Sequence, residues 1–333
     1  MSHFITGELL KLVRRSDDHM EKRKILMIDT DTAGDDCTAL LLALRWPGVE
    51  VKAITTVAGN IPLHLCTRNA LTTLETAERS DVPVYPGAVK PLMRGLFTAE
   101  HVHGPDGMGG SNFPEPSLKP QEEHAANAIV RLINEYPGEI EMIAQAPLTN
   151  LALAYSLDPS IAGKLKHLWV MGGANNYIGN DSPAAEFNFL VDPEAAHIVV
   201  HAGFNLTMVG WDVCHRQPVM AEEHLRLIES MDTEFARFYM KVLRTNMERG
   251  LKQLGYRRLS HPDTLTVAMA IDNRVMARSN RFYIDVEHKS ELTKGYSLVD
   301  QNNILKKEPN AEVCLEADLE LFREMIFSLL KQR

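Results

Sequence analysis

The stretch Asp29-Thr-Asp31-Thr-Ala-Gly-Asp35-Asp36 gathers four carboxylates within eight residues. One aspartate beside a helix start ordinarily acts as a cap, but four exceed what capping needs. If all four stay ionised at a dry strand end they repel one another strongly, and a cation is the simplest remedy. Ligands that are all oxygen suit a hard ion, Ca²⁺ or Mg²⁺, rather than zinc.

The elements that position these groups can be read on either side. Ile25-Leu-Met-Ile28 is a run of apolar residues expected of a strand buried on both faces. Cys37-Thr-Ala-Leu-Leu-Leu-Ala-Leu-Arg45 is good helix sequence, so Asp35 and Asp36 fall in a first helical turn, where the macrodipole favours negative charge. Strand, acidic loop and helix make half of a βαβ unit.

The pattern recurs along the chain. Val51 to Val57 reads as a strand, Ala58-Gly59-Asn60 as a turn, and Pro62 to Arg79 as a helix. Further strands are expected at Pro83–Tyr85, Ile140–Ala144, Leu168–Met171 and Leu206–Val209, and further helices at Glu122–Tyr136, Asp192–His201 and across 221–254. Phe235, Phe238 and Tyr239 in the last of these read as core or subunit-contact residues. Ser260-His261-Pro262-Asp263 opens another helix, Phe282 to Val286 alternates like an antiparallel edge strand, and a helix from Asp318 closes the chain. This alternation predicts an α/β fold: a single domain with a mostly parallel, doubly wound central sheet and an additional small antiparallel element. Ligands then bind beyond the carboxyl ends of the strands, where the polar loops collect.

Composition sets outer bounds. With 333 residues, 45% apolar and 24% charged, the chain has ample material for one large core. A formal charge of -9 without a basic tract argues against nucleic acid as a partner, and no long apolar run suggests a membrane span. The domain is placed at 24–333. Residues 1–23 form an extension in which Phe4-Ile5 and Leu9 to Val13 are spaced for a short amphipathic helix. Cys37, Cys66, Cys214 and Cys314 lack paired spacing and read as buried reduced thiols of a cytoplasmic protein. The loop from His101 through Gly110 is glycine-rich and is either a lid or a plain surface loop.

Beyond the acidic loop, Asn60, the stretch Asn180 to Asn188 and Asp263 can serve the same site. Carboxylates around a hard cation with scattered Asn and Glu suit a polyhydroxylated ligand, a sugar. A water beside Asp31, acidified by the ion and deprotonated by the carboxylate, points to hydrolysis at an anomeric carbon.

At this point the chain resembles the nucleoside hydrolase family, the inosine/uridine-preferring ribohydrolases. Its amino-terminal DxDxxxDD is matched by Asp29-Thr-Asp31-Thr-Ala-Gly-Asp35-Asp36, with Ala33 where the family usually has glycine. Thr55-Thr-Val-Ala-Gly-Asn60, Pro147-Leu-Thr-Asn150, Val170-Met-Gly-Gly173 and Pro183-Ala-Ala-Glu186-Phe-Asn188 with Val191-Asp-Pro-Glu-Ala195 follow in order, over about Lys24 to Asp300. The resemblance implies an N-ribohydrolase of ribonucleosides, a salvage enzyme assembled as a homodimer or homotetramer. It implies Ca²⁺ held by Asp31, Asp36, Asp263 and the backbone carbonyl of Gln145, where the family usually has threonine. Asp31 would also take the proton from the attacking water, with inversion. Asp35, Asn60, His103, Met171, Asn180, Glu186 and Asn188 would lie on the substrate side, and Asp29 would support the loop.

One departure stands out. The family histidine that protonates the leaving base immediately precedes the carboxylate matched by Asp263, and here that position is Pro262. His261 is one residue further back, a shift of about 100° on a helix, and is not expected to reach the same point. His103, Tyr256 or water as the assisting group, or stacking of the base on Trp211 or Tyr256, remain open. Taken singly the residues also have plain readings: Asn60 and Asn180 as turn residues, Glu186 and Asn188 as water-facing residues at strand spacing, His103 as a loop histidine, and His215 as a partner of Asp212. Two rival classes are a haloacid-dehalogenase-like Mg²⁺-dependent phosphatase, suggested by Asp29-Thr-Asp31-Thr32, and a non-catalytic nucleoside- or sugar-binding protein.

Overall fold

The computed structural model describes residues 23–216 and 219–333, so the amphipathic helix expected near Phe4 to Val13 lies outside the described residues. Ten strands are described, with helices between consecutive strands from the first to the seventh and none between the last four: β1 (Lys24–Thr30), β2 (Val49–Thr56), β3 (Val84–Pro86), β4 (Ile140–Gln145), β5 (His167–Met171), β6 (Leu206–Val209), β7 (Met276–Phe282), β8 (Ile284–Val286), β9 (Ser297–Val299) and β10 (Ala311–Ala317). Eight of them form one sheet in the order β3-β2-β1-β4-β5-β6-β10-β7, parallel except for β7 at one edge, while β8 and β9 pair antiparallel in a separate small sheet.

Successive residues of β1 point to opposite faces and enter different cores, which is the physical content of double winding. Leu26 and Ile28 pack with the helices Asp35–Arg45, Pro262–Ile271 and Leu319–Leu330, whereas Met27 packs with Ala125–Glu135, Thr149–Leu157 and Pro193–His201. The chain winds outward from β1 through β2 to β3, then returns across the sheet to β4 on the other side of β1. That reversal is a topological switch point, and a crevice opens beyond the carboxyl ends of β1 and β4. Thr30 and Gln145, the last residues of those strands, are register partners there.

The structure corrects several expectations in the carboxyl-terminal third. Phe282 to Val286 is not one strand: Phe282 ends β7 in the main sheet, and Ile284 to Val286 turns away to pair with β9. The strand β10, which carries mixed polar and apolar residues and was not expected, inserts between β6 and β7. The helical tract 221–254 is three helices, Glu222–Glu229, Glu234–Val242 and Arg244–Leu254, the second capped by Thr233. In the glycine-rich loop the Asp106 carboxylate accepts from the backbone N–H groups of Met108, Gly110 and Asn112, and Asn69 Nδ2 donates to Asp106 O and Thr32 O at 2.9 and 3.0 Å. The loop is thereby pegged to the acidic loop. No helix among the described residues is long and apolar enough to cross a membrane.

Candidate active site

The acidic loop is organised by hydrogen bonds that leave one oxygen of Asp31 and one of Asp29 without a partner. Asp31 Oδ2 accepts the Asn60 N–H at 2.7 Å, while Asp31 Oδ1 is buried with no hydrogen-bond partner. Asp36 accepts from Thr30 Oγ1 at 2.7 Å, Gln145 Nε2 at 3.0 Å, the Ala33 N–H at 3.1 Å and Asn60 Nδ2 at 3.4 Å. Ala33 therefore does work that requires no glycine; the left-handed residue is Gly34, with φ 48°, where a Cβ would stand 2.6 Å from His103 Nδ1. Asp29 lies behind the loop, held by Thr55 Oγ1 at 2.5 Å and Asn150 Nδ2 at 2.8 Å.

Asp35 meets the amino terminus of the distant helix Pro262–Ile271. Its Oδ2 accepts the N–H groups of Asp263 and Thr264 at 2.8 and 3.1 Å, and Oδ1 accepts Thr264 Oγ1 at 2.6 Å. Exposed helix N–H groups attract a carboxylate in this way, and Pro262 suits the first helical position because its missing N–H would have no partner in the helix. His261, left-handed at φ 53°, turns its ring back onto Asp35, with Nδ1 2.5 Å from Oδ1. Tyr239, whose hydroxyl lies 2.6 Å from His261 Nε2, completes the chain of contacts. A carboxylate only accepts, so Nδ1 carries the proton it shares with Asp35.

Burial and mutual repulsion set the electrostatics. Burial and then the neighbouring Asp36 push the Asp31 carboxyl well above the usual range. Burial, followed by Asp36, Asp35 and Asp31, does the same to Asp263. Burial raises Asp36 to about 6 against its hydrogen bonds, and raises Asp29 to about 7. Asp35 is the exception: burial works against it, but His261 and Thr264 outweigh that and hold it below the ordinary value.

Residues of the sugar-side stretch are tied to backbone. Glu186 caps the short helix Phe187–Val191, with Oε1 accepting the Asn188 N–H at 2.8 Å and Oε2 the N–H groups of Gly173 and Phe189 at 2.9 and 3.2 Å. Burial raises its carboxyl to about 7 in spite of those bonds. Asn188 Nδ2 donates to Met171 O at 3.1 Å, and Glu186, Asn188 and Met171 are only 2%, 4% and 2% exposed. The plain reading of Glu186 and Asn188 as water-facing residues at strand spacing gives way to a buried helical turn. Asn180 is exposed and shapes this turn by accepting the Phe187 N–H at 2.8 Å.

The remaining candidates separate. His103 ends the helix Glu100–His103 against Gly34, with a buried Nδ1 that has no partner, and burial pushes its imidazole down to about 4. Trp211 follows β6 at the same sheet edge and stacks on His215, so His215 is not the partner of Asp212, whose Oδ1 instead accepts the Asn175 N–H at 2.9 Å. Tyr256 is 45% exposed and makes no hydrogen bond to the acidic cluster. Sequence reasoning missed Tyr239, Thr264 and Thr30. A hydroxyl on an apolar helix face or at a strand end signals such a role only once its partner is known.

The donor set fits a hard divalent ion. Asp31 Oδ1 and Gln145 Oε1 are buried oxygens without partners, and Asp31, Asp36 and Asp263 all carry upward shifts that positive charge would reverse. The side-chain oxygens of these three aspartates do not all fall within 4.8 Å of one another, so they line a bowl rather than a closed cage. Ca²⁺ tolerates that openness by taking carbonyl and solvent oxygens as well.

The carboxylate bowl thus sits at the switch point of a doubly wound α/β sheet, where such folds bind their ligands. The family model described as inosine-uridine preferring nucleoside hydrolase matches residues 26–324. The chain is 35% identical over 312 residues to the pyrimidine-specific ribonucleoside hydrolase RihA of Salmonella arizonae, covering 92% of this chain and 98% of that one. Among solved structures it superposes on the plant nucleoside hydrolase PpNRh1 with TM-score 0.88 and 30% identity, over 93% of this chain and all of the other. It also superposes on the purine-preferring ribonucleoside hydrolase from Gardnerella vaginalis with TM-score 0.85 and 25% identity, at the same 93% and 100% coverage. The chain belongs to the inosine-uridine preferring nucleoside hydrolase family and is an N-ribohydrolase.

Proposed function

We propose that this enzyme cleaves ribonucleosides to free base and ribose with Ca²⁺ at the acidic loop, by direct attack of water and with inversion at the anomeric carbon. The observation that carries this reading is Asp31, a buried carboxylate with one oxygen fixed by Asn60 and the other left without a partner. Asp31, Asp36, Asp263 and the backbone carbonyl oxygen of Gln145 would hold the ion. Its charge, when bound, keeps these carboxylates ionised and acidifies a neighbouring water. Asp31 takes the proton of that water as it attacks. Asp35 and Asn60 hold ribose hydroxyls near the ion and Asn180, Glu186 and Asn188 the rest of the sugar, with His103 and Met171 elsewhere on the substrate side; Asn180 also shapes the Glu186 turn, and Asp29 supports the loop from behind. Four buried free cysteines fit a reducing cytoplasm, and the family resemblance supports a homodimer or homotetramer serving nucleoside salvage.

Assay of base release from a panel of purine and pyrimidine ribonucleosides tests the reading. Turnover should stop on exhaustive chelation and return with Ca²⁺, and the first sugar product seen by NMR should be the inverted anomer. Undiminished turnover after chelation would sink the ion. A ribosyl adduct on a carboxylate, trapped with a slow fluorinated substrate and seen by mass spectrometry, would sink inversion by direct attack.

Leaving-group protonation falls to a group other than His261. Both of its ring nitrogens are engaged, one by Asp35 and one by Tyr239, so it acts by holding Asp35 in place. His261→Ala is expected to lower kcat/KM about 10–100-fold, the usual scale for an orienting partner, on inosine and on p-nitrophenyl riboside alike. The second substrate needs no protonation, so a loss confined to inosine would return His261 to the role of acid.

A further inference from the structure

A second cluster of ligand-bearing side chains stands away from the acidic loop. His197 and His201 lie four residues apart on the helix Pro193–His201 and project from one face of it. That helix leads into the start of β6, so His201 faces the amino edge of the parallel sheet, opposite the edge that carries Asp31. Asp285 of β8 meets both imidazoles: its Oδ1 is 3.0 Å from His197 Nδ1 and 3.0 Å from His201 Nε2. The three ligand atoms lie within 4.8 Å of one another, which no other trio of His, Cys, Asp or Glu achieves among the described residues.

The surroundings orient these groups. The Tyr283 hydroxyl donates to Asp285 Oδ2 at 3.1 Å and the Val286 N–H to Oδ1 at 2.8 Å, the kind of outer contact that fixes a ligating carboxylate. The His288 ring packs 4.2 Å from that of His197 and walls one side. His197, His201 and Asp285 side chains are 34%, 32% and 34% exposed, so an ion can enter from solvent. Bonds of about 2.0–2.1 Å at tetrahedral angles place neighbouring ligand atoms about 3.3 Å apart, close to the 3.0 Å from Asp285 to each imidazole.

We propose that His197, His201 and Asp285 form a binding site for a zinc-type divalent transition metal, with solvent completing the coordination. Two imidazoles select such an ion over Ca²⁺, which prefers oxygen alone. The site joins the helix Pro193–His201, which directly follows the Phe187–Val191 turn, to the β8–β9 pair, whose Ser297 Oγ bonds both the N–H and the carbonyl of Ala174 at 2.7 Å. Bound metal therefore clips together the two segments that back the sugar-side loops, and its effect is on stability rather than chemistry. Lys307, which donates to the Tyr283 hydroxyl at 2.7 Å, adds nearby positive charge and keeps the affinity moderate.

The test is titration of the full chain with Zn²⁺, and separately with Co²⁺, in excess Ca²⁺ so that the acidic loop is already supplied. One equivalent of Zn²⁺ should bind and raise the melting temperature, and Co²⁺ should give the intense visible bands of a four-coordinate site. His197→Asn and His201→Asn should each weaken binding at least about tenfold. Asp285→Asn, which keeps an acceptor for Tyr283, should do the same, with nucleoside turnover unchanged in all three. Wild-type protein that binds no Zn²⁺ would reduce the cluster to hydrogen bonds, and a His197→Asn/His201→Asn protein with undiminished affinity would place the ion elsewhere; either result overturns the proposal.

Discussion

Asp31→Asn is expected to lower kcat at least about a thousandfold on any ribonucleoside the enzyme accepts, a figure within the usual 10²–10⁴ range for loss of a positioned base. The amide keeps the shape and still accepts the Asn60 N–H that now reaches Oδ2 at 2.7 Å. What disappears is the negative charge and the capacity to take a proton. Stability should hold or rise, because Asp31 sits among like charges that push its own carboxyl upward after burial has done so. The combination of a folded protein with collapsed turnover distinguishes loss of chemistry from loss of structure. A variant with wild-type kcat would remove Asp31 from the reaction.

Gly59→Ala should also be damaging, about tenfold less so, although it replaces no ionisable group. A Cβ at this position would lie 2.2 Å from Asp31 Oδ2 and 2.8 Å from Pro147 Cδ. Neither neighbour yields easily, since Asp31 is buried and Pro147 begins the turn after β4. The carboxylate must move by an appreciable fraction of an ångström and surrender the Asn60 N–H. Misplacement on that scale costs about 10²-fold in rate, and overpacking costs about 1–3 kcal/mol of stability. Kinetics and thermal melting on the same preparation check both figures. Equal activity would mean that the loop accommodates the methyl group and that Asp31 is less tightly placed than its contacts imply.

Much of this architecture was legible because local chemistry and global position agree. The run Ile25 to Ile28 could be read as doubly buried since apolar residues on both faces leave no other solution, and the acidic residues after it then had to lie at a strand end. The carboxyl-terminal third was harder. In β10 the residues Glu312 and Glu316 interrupt the apolar run, because the outer part of the sheet is only partly covered there, and the pattern resembles loop as much as strand. At the site, Asp31 and Asp36 announce themselves by type and spacing, whereas Tyr239 looks like any aromatic of a buried helix face. Its hydroxyl matters through a contact with His261 across 22 residues, and spacing carries no trace of that. The angular argument that set His261 aside presumed a helical backbone. Its left-handed conformation brings the ring onto Asp35 instead.

The hydrogen bonds between Asp35 and the residues around Thr264 span 226 to 229 positions of sequence. During synthesis the amino-terminal carboxylates therefore emerge long before the helix that fixes Asp35 and adds Asp263 to the cluster, and they wait in water where all four can stay ionised at little cost. The sheet waits as well, since β6 exposes an unpaired edge until Ala311 to Ala317 arrives to cover it. Such distant pairings make for slow maturation and a vulnerable nascent chain. A chain cut short before about position 260 would retain every acidic residue of the first loop and still lack an assembled site, so catalytic competence is acquired late and all at once.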